Sequence, residues 1–251
     1  FGGGVPGDLG GFAAATFLRG IDFIQVPTSL LAQIDSSVGG KVAIDLPTGK
    51  NLVGSFYQPL GVLIDPDLLT SLPKRYLHDG LAEAIKYGCI RSADLFAKLQ
   101  GIKDDEELLA NIEVIIKECC EIKARIVEND EFDTGERMVL NFGHTIGHAV
   151  EKYYNYETYT HGEGVGIGMV ALTGKTEQLG ITEKGSTTLI KDVLQHYGLP
   201  TEAVMEKEEV LKTIALDKKK KGGEITIVIL EKIGKSRLLK IPYKDLTHYI
   251  G

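Results

Sequence analysis

The sequence predicts an α/β N-terminal part with a parallel sheet, followed by a mainly α-helical domain with a late β-hairpin. Up to about Pro73, short apolar strands alternate with loops and helices, which is typical of parallel α/β units. From Tyr76 onward the apolar residues recur at helical spacing. Near the end, two strands, 225–230 and 237–241, flank a turn at Gly234. We therefore expect two domains, 1–72 and 73–251.

Composition and charge exclude several classes of protein. The chain has 251 residues, 43% of them hydrophobic, and a net charge of -7. The run Lys218–Lys221 is an isolated basic segment in an acidic chain, so we expect no nucleic-acid partner. Three cysteines, Cys89, Cys119 and Cys120, form neither a disulfide framework nor a Cys-x-x-Cys ligand set, which indicates a reducing cytoplasm. Neither a signal peptide nor a membrane-spanning apolar run is indicated.

A glycine motif opens the chain and indicates a Rossmann-like unit. Gly2, Gly4 and Gly7 fit the pattern G-x-G-x-x-G, which lets a phosphate approach the backbone at a helix N-terminus. The alanine-rich segment 9–19 supplies that helix. A buried strand is predicted over 22–27. The strand that normally precedes such a motif is missing, with only Phe1 in its place, so we expect the sheet to be truncated at its start.

A second polar segment follows the first strand. The residues D-S-S-V-G-G-K, from Asp35 to Lys41, indicate a loop that closes over a polar ligand, with Lys41 for an anion and Asp35 for a hydroxyl. The alternative is a Ser/Gly-rich surface turn. Lys50 and Asn51 lie behind a further glycine turn, and a second strand begins at Gly61.

The helical part contains one pair of opposite charges among apolar neighbours. Glu83 and Lys86 are three residues apart, hence on one helix face. Such pairs are commonly solvated. Here the apolar flanking residues favour a pair that points into a cleft. A long amphipathic helix is predicted over 107–128, and further helices over 173–199.

The stretch 137–163 carries the strongest indication of a site. If 140–150 is one helix, Arg137, Asn141, His144 and His148 share a stripe. Two glycines in this helix predict something packed against its backbone, such as a ligand. The histidine pair can reach one metal or one anion, and His161 follows in a His-Gly-Glu turn. Zinc would still need a carboxylate or thiolate. The alternative is that one histidine is a buried hydrogen-bonding residue and the others lie at the surface.

Seven segments, in order along the chain, resemble the 3-dehydroquinate synthase family. They are G-G-G-V-P-G-D at Gly2, V-P-T-S-L-L-A-Q-I-D-S-S-V-G-G-K at Val26, G-K-N at Gly49, G-L-A-E-A-I-K at Gly80, L-N-F-G-H-T-I-G-H at Leu140, H-G-E at His161 and D-K-K at Asp217. Pro6 and Ser29 stand where the family more often has an aliphatic residue and a threonine.

The resemblance implies a set of site residues. It supplies Glu83 as the ligand that joins His144 and His161 on zinc, with cobalt as an alternative ion. The implied contacts to NAD are Gly4, Val5, Pro6, Gly7, Asp8, Thr28, Ser29, Lys41, Lys50, Leu68, Leu69, Thr70 and Ser71. The implied catalytic and substrate residues are Asp35, Asn51, Lys86, Lys123, Arg137, Asn141, His148, Lys218 and Lys219, with Arg19 reaching the site of a neighbouring subunit. Lys41 is implied to contact the substrate as well.

The resemblance also implies the reaction. The family is a group of cytoplasmic, homodimeric lyases of the shikimate pathway of aromatic amino acid biosynthesis. They convert 3-deoxy-D-arabino-heptulosonate 7-phosphate to 3-dehydroquinate and phosphate by transient oxidation with NAD, elimination, reduction and an aldol step. One alternative is another sugar phosphate cyclase, such as 2-deoxy-scyllo-inosose synthase, or a metal-dependent polyol dehydrogenase relative. A second alternative is a catalytically silent nucleotide-binding relative.

A last expectation concerns the N-terminal sheet. Because the strand before the glycine motif is missing, we expect the 251-residue chain to retain a metal but to bind NAD weakly and to turn over little.

Overall fold

The computed structural model describes residues 1–46, 49–205, 209–211, 213–214 and 223–250. The chain forms two compact units. The first unit contains Phe1–Leu81 and Lys103–Arg137, and the second contains Ala82–Ile102 and Met138–Gly251. The expected boundary between residues 72 and 73 stays a prediction. Lys218 and Lys219 lie outside the described residues.

The first unit begins with helix α1, Gly4–Thr16, which continues into a 3-10 turn, Phe17–Arg19. The helix starts five residues earlier than predicted, so most of the glycine motif belongs to its first turns. Pro6 is tolerated there because the first N–H groups of a helix have no intrahelical partner.

A small parallel sheet lies beside this helix in the first unit. Strand β1, Ile24–Gln25, pairs in parallel with β4, Gly61–Val62, and a parallel bridge joins Gly2 to Pro27. The predicted parallel sheet is therefore confirmed. The strand predicted over 22–27 is buried on one face only within this unit. Gln25 is buried, whereas Ile24 is 62% exposed.

The sequence did not predict the antiparallel hairpin of the first unit. Strand β2, Lys41–Leu46, pairs with β3, Gly49–Phe56. A π-helical turn, Ala32–Ser36, precedes it. The expected loop 35–41 is thus the end of this turn, a bend, and the first residue of a strand. Gly39 and Gly40 have φ of 103° and 66° in that bend, which favours glycine.

The remaining elements of the first unit are helical. A 3-10 turn, Pro66–Ser71, leads to helix α2, Lys74–Arg91, which begins in this unit and ends in the second. Helix α4, Asp105–Asn129, confirms the predicted amphipathic helix. It starts at Asp104, whose carboxylate accepts a hydrogen bond from the backbone N–H of Glu107 at 2.9 Å.

The second unit is built on helices and a terminal hairpin. After α2 come α3, Ala93–Gly101, then α5, His144–Tyr153, α6, His161–Gln178, and α7, Ser186–His196. Strands β5, Glu224–Lys232, and β6, Lys235–Pro242, pair antiparallel, which confirms the predicted hairpin. Among the described residues, no helix combines the length and apolar character that crossing a bilayer requires.

Candidate functional site

A carboxylate and two imidazoles converge inside the second unit. Glu83 Oε1 lies 3.4 Å from His144 Nε2 and 3.5 Å from His161 Nε2. The ligand atoms of the three residues all lie within 4.8 Å of one another. The imidazole rings of His144 and His161 meet edge to face, with centroids 5.1 Å apart. We refer to Glu83, His144 and His161 as the tridentate cluster.

Each member of the tridentate cluster is fixed by a local feature of its helix. Glu83 lies within α2 and is fully buried. His144 is the first residue of α5, and its Nδ1 lies 3.1 Å from the carbonyl oxygen of Phe142. Because a carbonyl only accepts, this contact places the proton on Nδ1 and leaves the lone pair of Nε2 directed at the cluster.

His161 is the first residue of α6, so the expected His-Gly-Glu turn is in fact a helix N-terminus. Thr160 is the N-cap, and Glu163 completes a capping box. The carboxylate of Glu163 accepts a hydrogen bond from the backbone N–H of Thr160 at 3.0 Å. This cap fixes the position of His161 at the start of α6.

Close packing of α5 on α6 accounts for the glycines that suggested a bound ligand. A Cβ placed on Gly147 would meet the backbone of Gly164 at 2.9 Å, and one on Gly143 would meet Val165 O at 2.7 Å. The neighbour that requires glycine is therefore the helix α6. The interpretation that a ligand packs against these glycines was wrong.

The predicted single stripe of four polar residues is also wrong. Arg137 and Asn141 lie on a separate 3-10 turn, Glu136–Asn141, and α5 starts only at His144. Gly143 interrupts the helix, since its φ of 79° is left-handed. Of the four predicted residues, His144 and His148 share a face of α5. The exposed His148 lies beside the tridentate cluster, with ring centroids 5.4 Å from His144 and 5.9 Å from His161.

A buried ion pair adjoins the tridentate cluster. The ammonium of Lys86 contacts Glu83 Oε2, one turn along α2, and the Lys86 side chain is 1% exposed. The two oxygens of Glu83 thus face different partners, Oε2 the lysine and Oε1 the imidazoles. This burial excludes the alternative of a solvated pair.

The two imidazoles of the cluster titrate in opposite directions in the metal-free chain. Burial and the charge of Lys86 lower the pKa of His144 to about 3, outweighing the attraction of Glu83. Burial also lowers the pKa of His161, but the hydrogen bonds and charges of Glu151 and Glu83 outweigh it and raise that pKa to about 10. A divalent ion would have to compete with the proton of His161.

The donor set suits a divalent cation. Two imidazole nitrogens and one carboxylate oxygen are the ligands of many catalytic zinc sites, which keep a position open for a further oxygen. The neutral His144 already presents a lone pair. The residues present therefore fit the metal ion that the sequence resemblance implied.

The first unit holds a second group of predicted site residues. Lys123 Nζ donates to Asp35 Oδ1 at 2.8 Å and to the carbonyl oxygen of Asp35 at 2.6 Å. Burial, then repulsion from Asp35, raises the pKa of Asp8 to about 6, although Lys123 opposes this shift. The buried ammonium of Lys123 therefore contacts Asp35, and its charge also acts on Asp8.

Further predicted cations of the first unit contact the turn 130–135. Lys41 Nζ lies 2.5 Å from Asp133 Oδ2. The guanidinium of Arg137 donates to the carbonyl oxygens of Glu131, at 2.5 Å, and of Gly39, at 2.9 Å. A Cβ on Gly39 would meet that guanidinium at 2.6 Å, so the glycine makes room for Arg137. We call Lys41, Arg137 and this turn the cation-turn cluster.

Two of the residues predicted to contact a cofactor, Pro6 and Gly7, line a pocket at the start of α1. Its lining also includes Gly2, Gln25 and Ser37. The backbone N–H of Thr28 donates to Gly2 O at 2.9 Å, which ties this strand end to the glycine motif. Ser29 Oγ accepts from the backbone N–H of Ala32 at 3.3 Å. Gly4 and Asp8 lie in the first turns of α1, and Val5 and Pro6 are exposed there.

The remaining predicted residues lie at the surface or in the core of the first unit. Lys50 and Asn51 are exposed on β3, and the N–H of Asn51 donates to Asp45 Oδ1 at 2.9 Å. Of the segment Leu68–Ser71, only Leu69 is buried, and the hydroxyls of Thr70 and Ser71 bond to carbonyls of their own turn. Arg19 is exposed with a left-handed φ of 70°.

Sequence reasoning missed two acidic residues of these clusters. Glu151 lies 3.6 Å, Oε2 to Nδ1, from His161. Asp133 contacts Lys41. Glu151 could have been noticed from its spacing, because it follows His144 by seven residues and hence shares its helix face. Nothing in the local sequence connects Asp133 with a lysine 92 residues earlier.

Comparisons with known proteins identify the family on both halves of the chain. Residues 1–79 match the family model of the 3-dehydroquinate synthase N-terminal domain, and residues 80–220 match that of the C-terminal domain. A 3-dehydroquinate synthase of Clostridium botulinum is 61% identical over 238 residues, which cover 94% of this chain and 68% of the relative. One of Clostridium acetobutylicum is 56% identical over 250 residues, covering 99% and 70%.

A solved structure supports the fold. It is the crystal structure of a 2-deoxy-scyllo-inosose synthase complexed with carbaglucose-6-phosphate, NAD+ and Co2+, with a TM-score of 0.86 at 25% identity. The match covers 98% of this chain and 71% of that one. Since the matched family models together span most of the chain and relatives above 50% identity are 3-dehydroquinate synthases, the chain belongs to the 3-dehydroquinate synthase family.

Proposed function

We propose that this chain catalyses the family reaction, the conversion of 3-deoxy-D-arabino-heptulosonate 7-phosphate to 3-dehydroquinate and phosphate. The observation that carries the proposal is the tridentate cluster, in which Glu83, His144 and His161 converge without any contribution from another chain. A carbon-oxygen lyase of this kind needs a metal site next to groups that bind an anionic sugar.

We assign zinc to the tridentate cluster, with cobalt able to replace it, because imidazole and carboxylate donors suit both ions. When bound, the ion supplies Lewis acidity toward a substrate hydroxyl, and NAD+ serves as the hydride acceptor. The cobalt and NAD+ of the solved inosose synthase support this assignment.

The residues of the second unit hold the ion and the reacting hydroxyl. Glu83 Oε1 and the two Nε2 atoms would hold the ion, while the ammonium of Lys86 contacts Oε2. His148 is exposed beside the cluster, where an imidazole can move a proton to or from the substrate phosphate side. Asn141 provides a neutral amide for hydrogen bonds to a hydroxyl.

The residues of the first unit bind charge and cofactor. Lys123 and Arg137 are buried cations, which suits them to the phosphate and carboxylate of the substrate, and Asp35 and Asn51 offer partners for hydroxyls. The start of α1, with Gly4, Gly7 and Asp8, receives the pyrophosphate of NAD, because helix N-termini favour negative charge. Lys218 and Lys219 belong to the same proposal as further substrate cations.

The test is phosphate release from two sugar phosphates. With NAD+ and zinc present, 3-deoxy-D-arabino-heptulosonate 7-phosphate should release phosphate, and glucose 6-phosphate, the substrate expected of an inosose synthase, should release none. The variant Glu83→Gln should abolish release from the heptulosonate phosphate. Phosphate release from glucose 6-phosphate alone would favour the alternative cyclase. If metal-loaded protein releases phosphate from neither substrate, the catalytically silent alternative is favoured.

The proposal includes a homodimer in which Arg19 reaches the phosphate site of the neighbouring subunit. Its exposure at the end of the turn that follows α1 supports an intermolecular role. Mixing Arg19→Ala with Lys123→Ala protein should restore part of the activity through hybrid dimers. Verified subunit exchange without restored activity would contradict a shared site.

A further inference from the structure

We propose that Glu151 is a positioning residue that orients His161 toward the metal. This inference rests on the proposed metal site, and it concerns a residue to which the proposed reaction gives no role. Glu151 Oε2 lies 3.6 Å from Nδ1 of His161, on the opposite side of the imidazole ring from Nε2, which faces Glu83 Oε1 at 3.5 Å. His161 is thus held between two carboxylates, and only one of them belongs to the tridentate cluster.

The helix α5 is built to deliver this carboxylate. His144, His148 and Glu151 follow at spacings of four and three residues, so one face of α5 presents all three to the N-terminus of α6. Glu151 is 4% exposed, and a carboxylate at that depth is stable only beside a cation or hydrogen-bond donors. The imidazole of His161, at ion-pair distance, is such a partner when it is protonated.

A glycine on α6 makes the approach of Glu151 feasible. A Cβ on Gly164 would lie 3.4 Å from Cγ of Glu151 and 3.1 Å from the carbonyl oxygen of Gly147. Any side chain at Gly164 would therefore press on both Glu151 and the backbone of α5. The glycine keeps the two helices close enough for the carboxylate to reach the imidazole.

The two imidazoles of the tridentate cluster then have matching outer partners. His144 donates its Nδ1–H to the carbonyl oxygen of Phe142, and His161 faces Glu151 with the same atom. An acceptor on Nδ1 fixes the tautomer, aims the lone pair of Nε2, and makes the ring a stronger donor to a metal. The carboxylate adds a negative charge that a backbone carbonyl does not have.

The arrangement has one competing interpretation, in which Glu151 is itself a ligand. His148, Glu151 and His161 also bring ligand atoms within 4.8 Å of one another. We favour positioning, because His161 can offer Nε2 to the tridentate cluster only while Nδ1 faces Glu151. The number of ions bound distinguishes the two interpretations.

The experiment measures zinc affinity by competition with a chelator, for the wild-type chain and for Glu151→Gln, Glu151→Ala and Glu163→Gln. Loss of an outer-shell partner typically lowers metal affinity about 10- to 100-fold. We expect a loss of that order for Glu151→Ala and a smaller loss for Glu151→Gln, whose amide oxygen still accepts from Nδ1–H but carries no charge. Glu163→Gln is the matched control. It alters a carboxylate in the first turn of α6, the turn that contains His161. We expect the zinc affinity to stay within about threefold of wild type, because glutamine preserves a capping box.

The absorption spectrum of the cobalt-loaded chain gives a second readout. We expect the bands of Glu151→Gln to shift relative to wild type, and those of Glu163→Gln to coincide with it. Melting temperatures of the metal-free proteins identify any variant that fails to fold, and Glu151→Gln keeps the side-chain shape if Glu151→Ala does not fold.

Three results would overturn the proposal. The first is that Glu151→Gln and Glu151→Ala leave the zinc affinity and the cobalt spectrum unchanged. The second is that Glu163→Gln loses as much zinc affinity as the Glu151 variants, and the third is that the wild-type chain binds two ions whereas Glu151→Gln binds one. If the wild-type protein binds no divalent ion, the proposed metal site itself is wrong. This outcome is distinguishable from the three results that would overturn only the role of Glu151.

Discussion

The tridentate cluster of the second unit and the cation-turn cluster of the first unit compensate their charges in different ways. In the tridentate cluster, the anionic Glu83 faces one buried lysine and two imidazoles, whose Nε2 atoms surround its Oε1. In the first unit, Lys41 and Lys123 already contact the carboxylates of Asp133 and Asp35, and Arg137 donates to two backbone carbonyls. The tridentate cluster is preorganised to bind a cation, whereas the cations of the first unit already have partners within the protein.

The difference indicates what each region must do when a ligand binds. A divalent ion entering the tridentate cluster needs only the displacement of a proton, because the donors already converge. An anion approaching Lys41 or Lys123 has to replace a carboxylate of the protein. We therefore expect substitutions in the second unit to act on whether a metal binds, and substitutions in the first unit to act on how tightly an anion binds.

The largest effect is expected from removal of a metal ligand. Glu83→Gln, His144→Ala and His161→Ala should each lower zinc affinity by more than the ~100-fold that loss of an outer-shell partner can cost. Metal analysis after desalting is the measurement. His148→Ala, which changes the same residue type on the same helix as His144, is the control and should retain one equivalent of zinc. Full occupancy in any of the three ligand variants would remove that residue from the site.

The next effect concerns the buried ammonium of the first unit. Lys123→Met should lower the free energy of unfolding by about 1–3 kcal/mol, because it leaves the partly buried carboxylate of Asp35 without this donor. Urea unfolding measures the change. Combining Lys123→Met with Asp35→Asn should recover part of the loss, since no ionised carboxylate then lacks its partner. Strictly additive losses would show that the two residues do not depend on each other.

The sequence revealed the chemistry of the site better than its local geometry. The histidine pair of α5 and the terminal hairpin followed from spacing, because helix faces and strand alternation have fixed periods. Glu83 as a ligand followed from the resemblance to the family. The break at Gly143 did not follow, since a left-handed φ depends on the packing of α5 against α6, which is a long-range feature. The hairpin 41–56 was missed because Gly39, Gly40 and Gly49 read locally as loop. The pairing of Asp133 with Lys41 joins residues far apart in the chain.

A smaller effect is expected at Asp133, whose carboxylate competes with an anionic ligand for the exposed Lys41. Asp133→Asn should lower the KM for the heptulosonate phosphate by at most about fivefold, because exposed ion pairs contribute about 0.2–1 kcal/mol. Asparagine keeps the left-handed backbone of this position, where φ is 57°. Initial rates over a range of substrate concentrations give the KM. A raised KM would instead indicate that Asp133 positions Lys41 for the ligand.

The last effect is the pH dependence due to Asp8. Burial raises its pKa from 3.8 to about 6, so the folded chain binds more protons than the unfolded chain between these values. Stability from this group therefore falls as the pH rises from about 4 to 6, and the deficit is fully present above pH 6. Asp8→Asn should raise the melting temperature at pH 8 and have less effect at pH 4. An equal gain at both pH values would show that the carboxylate charge is not the cause.

The most direct test of preorganised metal binding by Glu83, His144 and His161 is X-ray absorption spectroscopy of the zinc-loaded chain at the zinc edge. We expect a first shell of nitrogen and oxygen only, at about 2.0–2.2 Å, with the scattering of two imidazoles. Glu83→Gln should change this shell, and His148→Ala should leave it unchanged. A sulfur shell near ~2.3 Å, or the scattering of three imidazoles, would contradict the assignment.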